Sequence, residues 1–211
     1  MKGLILNNFY SVRESIALSL LLAIVSNVIL VLSGNATALK MAFYLPMALI
    51  TVSAFEVLKQ DNLSGWDKFE FILPVERKEI IRSKYITFLL LLIISILVTA
   101  GVFMLNSLFV KISGELILIS VLRGMGLVLC LASTIYSLTY IYGGDKSELI
   151  RIISIIFAFA MFGLVSLMQK MMMGEVEGFD KIFSVNFLLV SCFIFIISYF
   201  ISISAYKRKE L

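Results

Sequence analysis

The chain has 211 residues, of which 61% are hydrophobic and 15% are charged, and its mean hydropathy is +1.04. A water-soluble domain carries about 45–50% apolar and about 25% charged residues, so this composition excludes an ordinary soluble protein. The formal net charge of +4 is a topology signal, and we do not infer a nucleic-acid partner from it. The sequence predicts one transmembrane domain over residues 1–211.

The first predicted element is a helix over about residues 3–14. Ile5, Phe9, Val12 and Ile16 recur at steps of four, three and four, which is the apolar stripe of a helix lying in the membrane plane. The same periodicity fits an extension of the first spanning helix into the cytoplasm, and the sequence leaves both possibilities open. No clear cleavage pattern follows the first apolar run, so we expect no removable signal peptide.

Six apolar runs have the length of a spanning helix, which needs roughly 20 such residues. The predicted spans are about residues 16–32, 41–58, 85–105, 116–142, 149–173 and 182–206. Thirteen of the eighteen Lys and Arg residues lie on one side of the resulting topology. By the positive-inside rule, both termini and the segment between the second and third spans face the cytoplasm. The predicted fold is therefore an all-α membrane protein.

The segment between the second and third predicted spans, residues 59–84, is the only long and heavily charged stretch. Ser64 is suited to begin a short helix, because its hydroxyl can accept a hydrogen bond from a first-turn amide. On that helix Trp66, Phe69 and Leu73 share one face. The segment can therefore press one side on the bundle and leave the other side for a soluble partner.

A bend is predicted next, at Pro74. Proline ends the short helix and suits the first turn of the following one, where its missing amide hydrogen costs nothing. We expect Arg77, Lys78, Arg82 and Lys84 to ring the level where that helix enters the bilayer and to attract anionic lipid headgroups. The alternative is an ordinary solvated loop with interfacial anchors.

Charges inside the predicted spans are rare. Arg123 is the one basic residue that lies more than one turn from the ends of a predicted span, and a charge at the helix centre costs about 2.5–3.5 kcal/mol. We favour snorkelling or structural pairing, with Glu175 or Glu177 as partner, over a role in lining a substrate path. Glu56, near the end of the second span, is expected to be exposed at the interface or to pair with Lys59 or another basic residue of the charged segment.

Several kinds of chemistry are excluded by residues that the sequence lacks. It contains no histidine, so a Ser-His dyad, an HExxH zinc site and a histidine proton relay are impossible. It also contains no GxxxxGK[ST] motif, so any ATP hydrolysis must come from another chain. Cys130 and Cys192 fall inside apolar runs and are expected to be inert, buried side chains. We therefore predict no enzyme, no metal site and no cofactor in this chain.

The topology, together with the stretches 66–70 and 73–85, resembles the small permease subunits of type-two ATP-binding-cassette exporters in the bacterial cell membrane. In that family an in-plane helix precedes six spans, and the loop after the second span forms a coupling helix that sits in a groove of a cytoplasmic ATPase. The resemblance implies a second permease chain, in a homodimer or heterodimer, and ATP and magnesium bound by the ATPase. The residues that it places at the ATPase are Trp66, Lys68, Phe69, Glu70 and Arg77.

Within that family the chain is similar to permeases that export phenol-soluble modulins, which implies amphipathic peptides as substrates. The alternative function is a non-transporting membrane interaction or immunity protein that recruits a cytoplasmic partner. An ion-coupled carrier is disfavoured, because such carriers place acidic residues or broken helices at the midplane. Here only Pro46 interrupts a predicted span.

Overall fold

The computed structural model describes residues 2–33, 36–70, 74–106, 114–174 and 178–208, and all regular structure within these ranges is helical. A single 3-10 turn, Gly144–Lys146, lies between the sixth and seventh α-helices. The α-helices are, in chain order, α1 (Lys2–Ser11), α2 (Arg13–Leu32), α3 (Ala36–Ser64), α4 (Trp66–Glu70), α5 (Arg77–Asn106), α6 (Gly114–Tyr142), α7 (Ser147–Met173) and α8 (Phe179–Arg208).

Within the described ranges six helices are long and apolar enough to cross a membrane, namely α2, α3, α5, α6, α7 and α8. The prediction of six spans in an all-α protein is confirmed. The α3 helix continues past its predicted end at Leu58 to Ser64. A helix satisfies its own backbone hydrogen bonds, so it can outlast the apolar run that spans the bilayer. Gly65, with φ of 71°, then ends it in a conformation that favours glycine.

The amino-terminal segment forms a helix of its own. At Val12 the backbone leaves the helical region, with φ of −120° and ψ of 21°, so α1 is not a continuous extension of α2. Asn8 is buried, and its Nδ2 donates to Ser83 Oγ at 3.4 Å and to Thr87 Oγ1 at 3.2 Å. These bonds hold α1 against the beginning of α5. Its lying in the membrane plane stays a prediction.

The bundle is packed most closely where α6 meets α8. Gly126 of α6 faces Phe187 of α8 so closely that an added Cβ would lie 2.6 Å from the ring. One turn further on, Cys130 Sγ lies 3.2 Å from Ser191 Oγ. Small residues at such positions let two helix backbones approach each other. Cys130 is fully buried, as predicted, and Cys192 is half-buried against the same bundle.

The described part of the charged segment lies at one end of the bundle. There the ends of α3, α6 and α8 meet α4 and the beginnings of α5 and α7. Lys59 Nζ lies 3.4 Å from Glu148 Oε1, which joins α3 to α7. Arg77 Nη1 donates to the Lys207 carbonyl oxygen at 3.1 Å, which joins α5 to α8. We call this the charged end.

Candidate functional site

The short helix α4 follows α3 after a single residue, Gly65. Ser64 was expected to cap α4, but it is the last residue of α3, and its hydroxyl donates to the Gln60 carbonyl oxygen at 2.7 Å. The Gly65 carbonyl oxygen instead accepts the amide hydrogen of Phe69 at 3.3 Å. The prediction for Ser64 was wrong because α3 continues through it and the turn is made by the glycine.

The two aromatic side chains of α4 contact each other. The ring centroids of Trp66 and Phe69 are 5.1 Å apart, and Phe69 is 45% exposed while Trp66 is half-buried. The predicted third member of that face, Leu73, lies outside the described residues, as does the side chain of Lys68. Phe69 is thus an apolar group that the charged end presents outward.

Glu70 points the opposite way, into the bundle. Lys84 Nζ donates to Glu70 Oε1 at 3.1 Å and also contacts Asp61 Oδ2. The same Glu70 oxygen accepts a hydrogen bond of 2.9 Å from Trp66 Nε1. The three charged side chains are only 3–6% exposed. Asp61, Glu70 and Lys84 form what we call the ion cluster, which ties α4 to both α3 and α5.

The position of Lys84 corrects the prediction that it rings the bilayer surface with the other basic residues. Arg77 and Arg82 are exposed, as expected. Lys84 instead follows Ile81 by three residues and precedes Phe88 by four, and both neighbours are buried. Residues at these spacings share one helix face. Lys84 therefore faces the core and needs buried partners for its charge.

The electrostatics of Glu70 follow from its surroundings. Burial raises the pKa of its carboxyl above the usual range, since the charged form loses its hydration. The Lys84 ammonium opposes this rise, whereas the Asp61 carboxylate adds to it. A buried ion pair is retained only with good geometry, because removing two charges from water is costly. The cluster contains two carboxyls for one ammonium.

An apolar groove of about 380 Å³ lies between α3, α6 and α7. Ala48, Leu131 and Phe159 contribute to its walls, and Arg151 stands at its end toward the charged end. Arg151 Nη2 is 3.0 Å from Glu56 Oε1. The groove wall is therefore almost entirely apolar, and a half-buried ion pair lies at one end of it.

The pairing of Glu56 differs from what we expected. Glu56 is neither exposed at the interface nor paired with Lys59. It forms its ion pair with Arg151 of α7. Lys59 is engaged by Glu148, one turn earlier on α7. The partners were missed because they depend on the packing of α7 against α3, which local spacing does not reveal.

Arg123 lies toward the opposite end of the bundle. Its Nη2 is 2.6 Å from Asp180 Oδ1, and its Nε donates to Ser184 Oγ at 2.9 Å. These contacts join α6 to α8. The partners that we predicted, Glu175 and Glu177, lie outside the described residues. A structural tie between two helices is what the described contacts of Arg123 provide.

Asp61 is the functional candidate that sequence reasoning missed. It follows Ala54 and Leu58 by seven and three residues, and both are buried on one face of α3. Continuing that helical spacing past the predicted end of the span would have placed Asp61 on the buried face. The hydropathy of the segment falls there, so the span was predicted to stop short of it.

The six spans, with the short helix α4 held at their charged end, define a multi-pass membrane protein. Residues 3–207 match the family model described as ABC-2 family transporter protein. The chain belongs to this family, and it is accordingly a permease subunit of an ABC transporter. Family membership implies an ATPase partner and pairing of permease chains. Comparisons with curated proteins and with solved structures gave no match.

Proposed function

We propose that this permease exports amphipathic peptides and that separate ATPase subunits, which bind ATP and magnesium, drive the export. The observation that carries the peptide assignment is the groove between α3, α6 and α7, with its apolar wall and the Arg151–Glu56 pair at one end. An amphipathic helix presents one apolar and one charged face. The apolar wall of the groove fits the first face, and the ion pair at the end of the groove offers charges to the second. The resemblance to exporters of phenol-soluble modulins supports the same substrate class.

In this proposal the charged end faces the cytoplasm and α4 is the coupling helix. Phe69 is the exposed apolar contact for the ATPase, and Trp66, Lys68 and Arg77 are the further contact residues in this proposal. Glu70 acts behind the contact, because its carboxylate is buried in the ion cluster. Since that cluster links α4 to both α3 and α5, a push on α4 is passed to the ends of two spans.

The test is ATPase activity in the native complex. The tagged chain is purified in mild detergent from cells that express its partners, and ATP hydrolysis is measured with an amphipathic helical peptide. A scrambled peptide of the same composition serves as the control. We expect a stoichiometric ATPase that only the amphipathic peptide stimulates. If neither peptide changes the rate of ATP hydrolysis, peptide export is contradicted. If no ATPase co-purifies with the chain, the result favours a non-transporting interaction protein.

A matched pair of variants tests α4. Phe69→Ala is expected to lower the peptide-stimulated ATPase rate several-fold, because apolar contacts buried at an interface carry much of its free energy. Phe200→Ala is the control, since Phe200 is 63% exposed on α8, away from α4. Equal rates for the two variants would count against α4 as the coupling helix.

A further inference from the structure

The ion cluster carries more negative than positive charge. Glu70 and Asp61 both contact Lys84, which is the one ammonium that they share in the described structure. Other ionisable groups lie around the ion cluster and its cavity on the elements that pack there. They are Asp67 of α4, Arg77 of α5, Tyr140 of α6, Tyr206 of α8 and, beside the cavity, Asp145 of the 3-10 turn, which accepts from Asn62.

A second feature adjoins the cluster. A cavity of about 60 Å³ is lined by Asp61, Glu70, Lys84 and Tyr140 among others. Tyr140 is 7% exposed, and its hydroxyl is buried without a hydrogen-bond partner in the described part of the chain. Buried hydroxyls are normally hydrogen-bonded, and a polar cavity of this size has room for a water molecule. The hydroxyl and the carboxyls therefore face a common polar space.

We propose that Asp61 and Glu70 together hold one proton, so that the ion cluster is neutral with Lys84, and that a water molecule in the cavity joins this proton-binding site to the Tyr140 hydroxyl. The proton is taken from bulk water and forms the O–H bond of one carboxyl group. On release it returns to bulk water and leaves a carboxylate. No other bond is made or broken.

The charge balance gives the physical reason. Two carboxylates sharing a buried site disfavour ionisation of both, and the single ammonium compensates only one of them. Because burial raises the pKa of Glu70 in the folded protein, the folded state binds this proton more tightly than the unfolded chain. The contact of α4 with the bundle is therefore most stable while the proton is bound. Its stability falls as the pH rises through the folded-state pKa of Glu70.

Trp66 offers a direct probe. It is the only tryptophan of the chain, and its Nε1 donates to Glu70, so intrinsic tryptophan emission reports on α4 alone. The full chain in mild detergent is titrated from about pH 4 to about pH 10. We expect one transition in emission, with a midpoint above the value of about 4.3 that is typical of an exposed Glu.

Three variants decide the assignment. Glu70→Gln keeps an acceptor for Trp66 and removes the titrating group, so the transition should vanish. In Asp61→Asn, Glu70 meets Lys84 without a competing carboxylate, and the midpoint should fall by about one pH unit. Glu76→Gln is the control, because Glu76 is an exposed carboxyl shortly after α4, and it should leave the transition unchanged.

The proposal is overturned if wild type shows no transition, or if the transition persists in Glu70→Gln. If Glu70→Gln fails to fold, the Asp61→Asn variant decides instead. The proposal is then overturned if the midpoint of the emission transition in Asp61→Asn equals that of wild type. The titration needs neither ATPase nor peptide, so its failure leaves the proposed function untouched. One consequence rests on the proposed function. Peptide-stimulated ATP hydrolysis should fall at alkaline pH in wild type, and this dependence on pH should be lost in Glu70→Gln.

Discussion

Lys84 is the residue on which the charge balance beneath α4 depends. Its ammonium contacts Asp61 and Glu70, and its own carbonyl oxygen accepts a hydrogen bond of 3.3 Å from the Tyr136 hydroxyl. Three other helices, α3, α4 and α6, therefore meet α5 at this one position. Removing one partner of a buried ion pair destabilises a protein far more than replacing both partners by apolar residues, since the remaining charge is left without compensation.

We expect Lys84→Met to lower the free energy of unfolding by about 3–5 kcal/mol, because negative charge stays buried without its ammonium. The measurement is denaturant or thermal unfolding of the purified chain in one detergent. Arg82→Met is the matched control, since Arg82 is exposed two residues earlier, and it should change stability by less than about 1 kcal/mol. Similar losses in both variants would contradict a buried role for Lys84.

Sequence reasoning reached some of these residues and missed others for one physical reason. The contact of Trp66 with Phe69 is local, so helical spacing predicts it. The pairing of Lys84 with Asp61 joins two helices, and only their packing brings the side chains together. A basic residue next to an apolar run is normally an interfacial anchor. For Lys84 the better guide was the buried stripe that it shares with Ile81 and Phe88.

At the scale of elements, the contact between α6 and α8 is the tightest in the bundle. Gly126 lies against the ring of Phe187, and about one turn earlier Arg123 of α6 meets Asp180 of α8. In lipid, helices associate through close van der Waals packing and hydrogen bonds, because apolar burial offers little gain there. The close contact at Gly126 should therefore contribute strongly to the stability of the bundle, although glycine differs from alanine by only one methyl group.

Gly126→Ala is expected to destabilise the protein by about 1–3 kcal/mol, because the new methyl group would overlap the Phe187 ring and force the helices apart. Unfolding in detergent measures the loss. Gly163→Ala on α7 is the control, as no heavy atom lies within 4 Å of its added Cβ. That change should be neutral or slightly stabilising, since alanine favours a helix. The reverse order of the two effects would refute the packing argument.

The spans themselves were predictable from the sequence, because the bilayer fixes both the length and the hydropathy of a spanning helix. The residues at which the helices end were less predictable. α3 runs six residues past its predicted end at Leu58, and α8 begins at Phe179 although the apolar run begins at Ile182. Hydropathy marks where a helix lies in lipid. Where the helix stops is decided by local backbone geometry such as the positive φ of Gly65.

At the scale of the whole molecule, the charged segment revealed the family, and family comparison confirmed the permease. The substrate is a different matter. The apolar groove is built from α3, α6 and α7, which are far apart in sequence, so no periodicity of one helix shows it. The apolar residues on its walls look the same in the sequence as those that face lipid. Only the packing of the three helices separates a binding groove from a lipid-facing surface.

The groove can be tested by filling it. Ala48 lines it at its α3 wall, and Ala48→Phe would occupy part of its volume of about 380 Å³. If an amphipathic peptide binds there, the concentration for half-maximal stimulation of the ATPase should rise roughly tenfold, which corresponds to about 1.4 kcal/mol of binding free energy. Basal ATP hydrolysis should be unchanged, because α4 and the ion cluster are not touched.

The matched control for this substitution is Ala160→Phe. Ala160 is exposed on α7, one of the groove helices, but it does not line the groove, so the added ring would face lipid and leave peptide stimulation as in wild type. The two variants add the same side chain to the same bundle and differ in whether it enters the groove. If both leave the half-maximal concentration unchanged while the complex stays intact, peptides bind elsewhere on this permease. If both raise it alike, the effect comes from general disturbance of the spans.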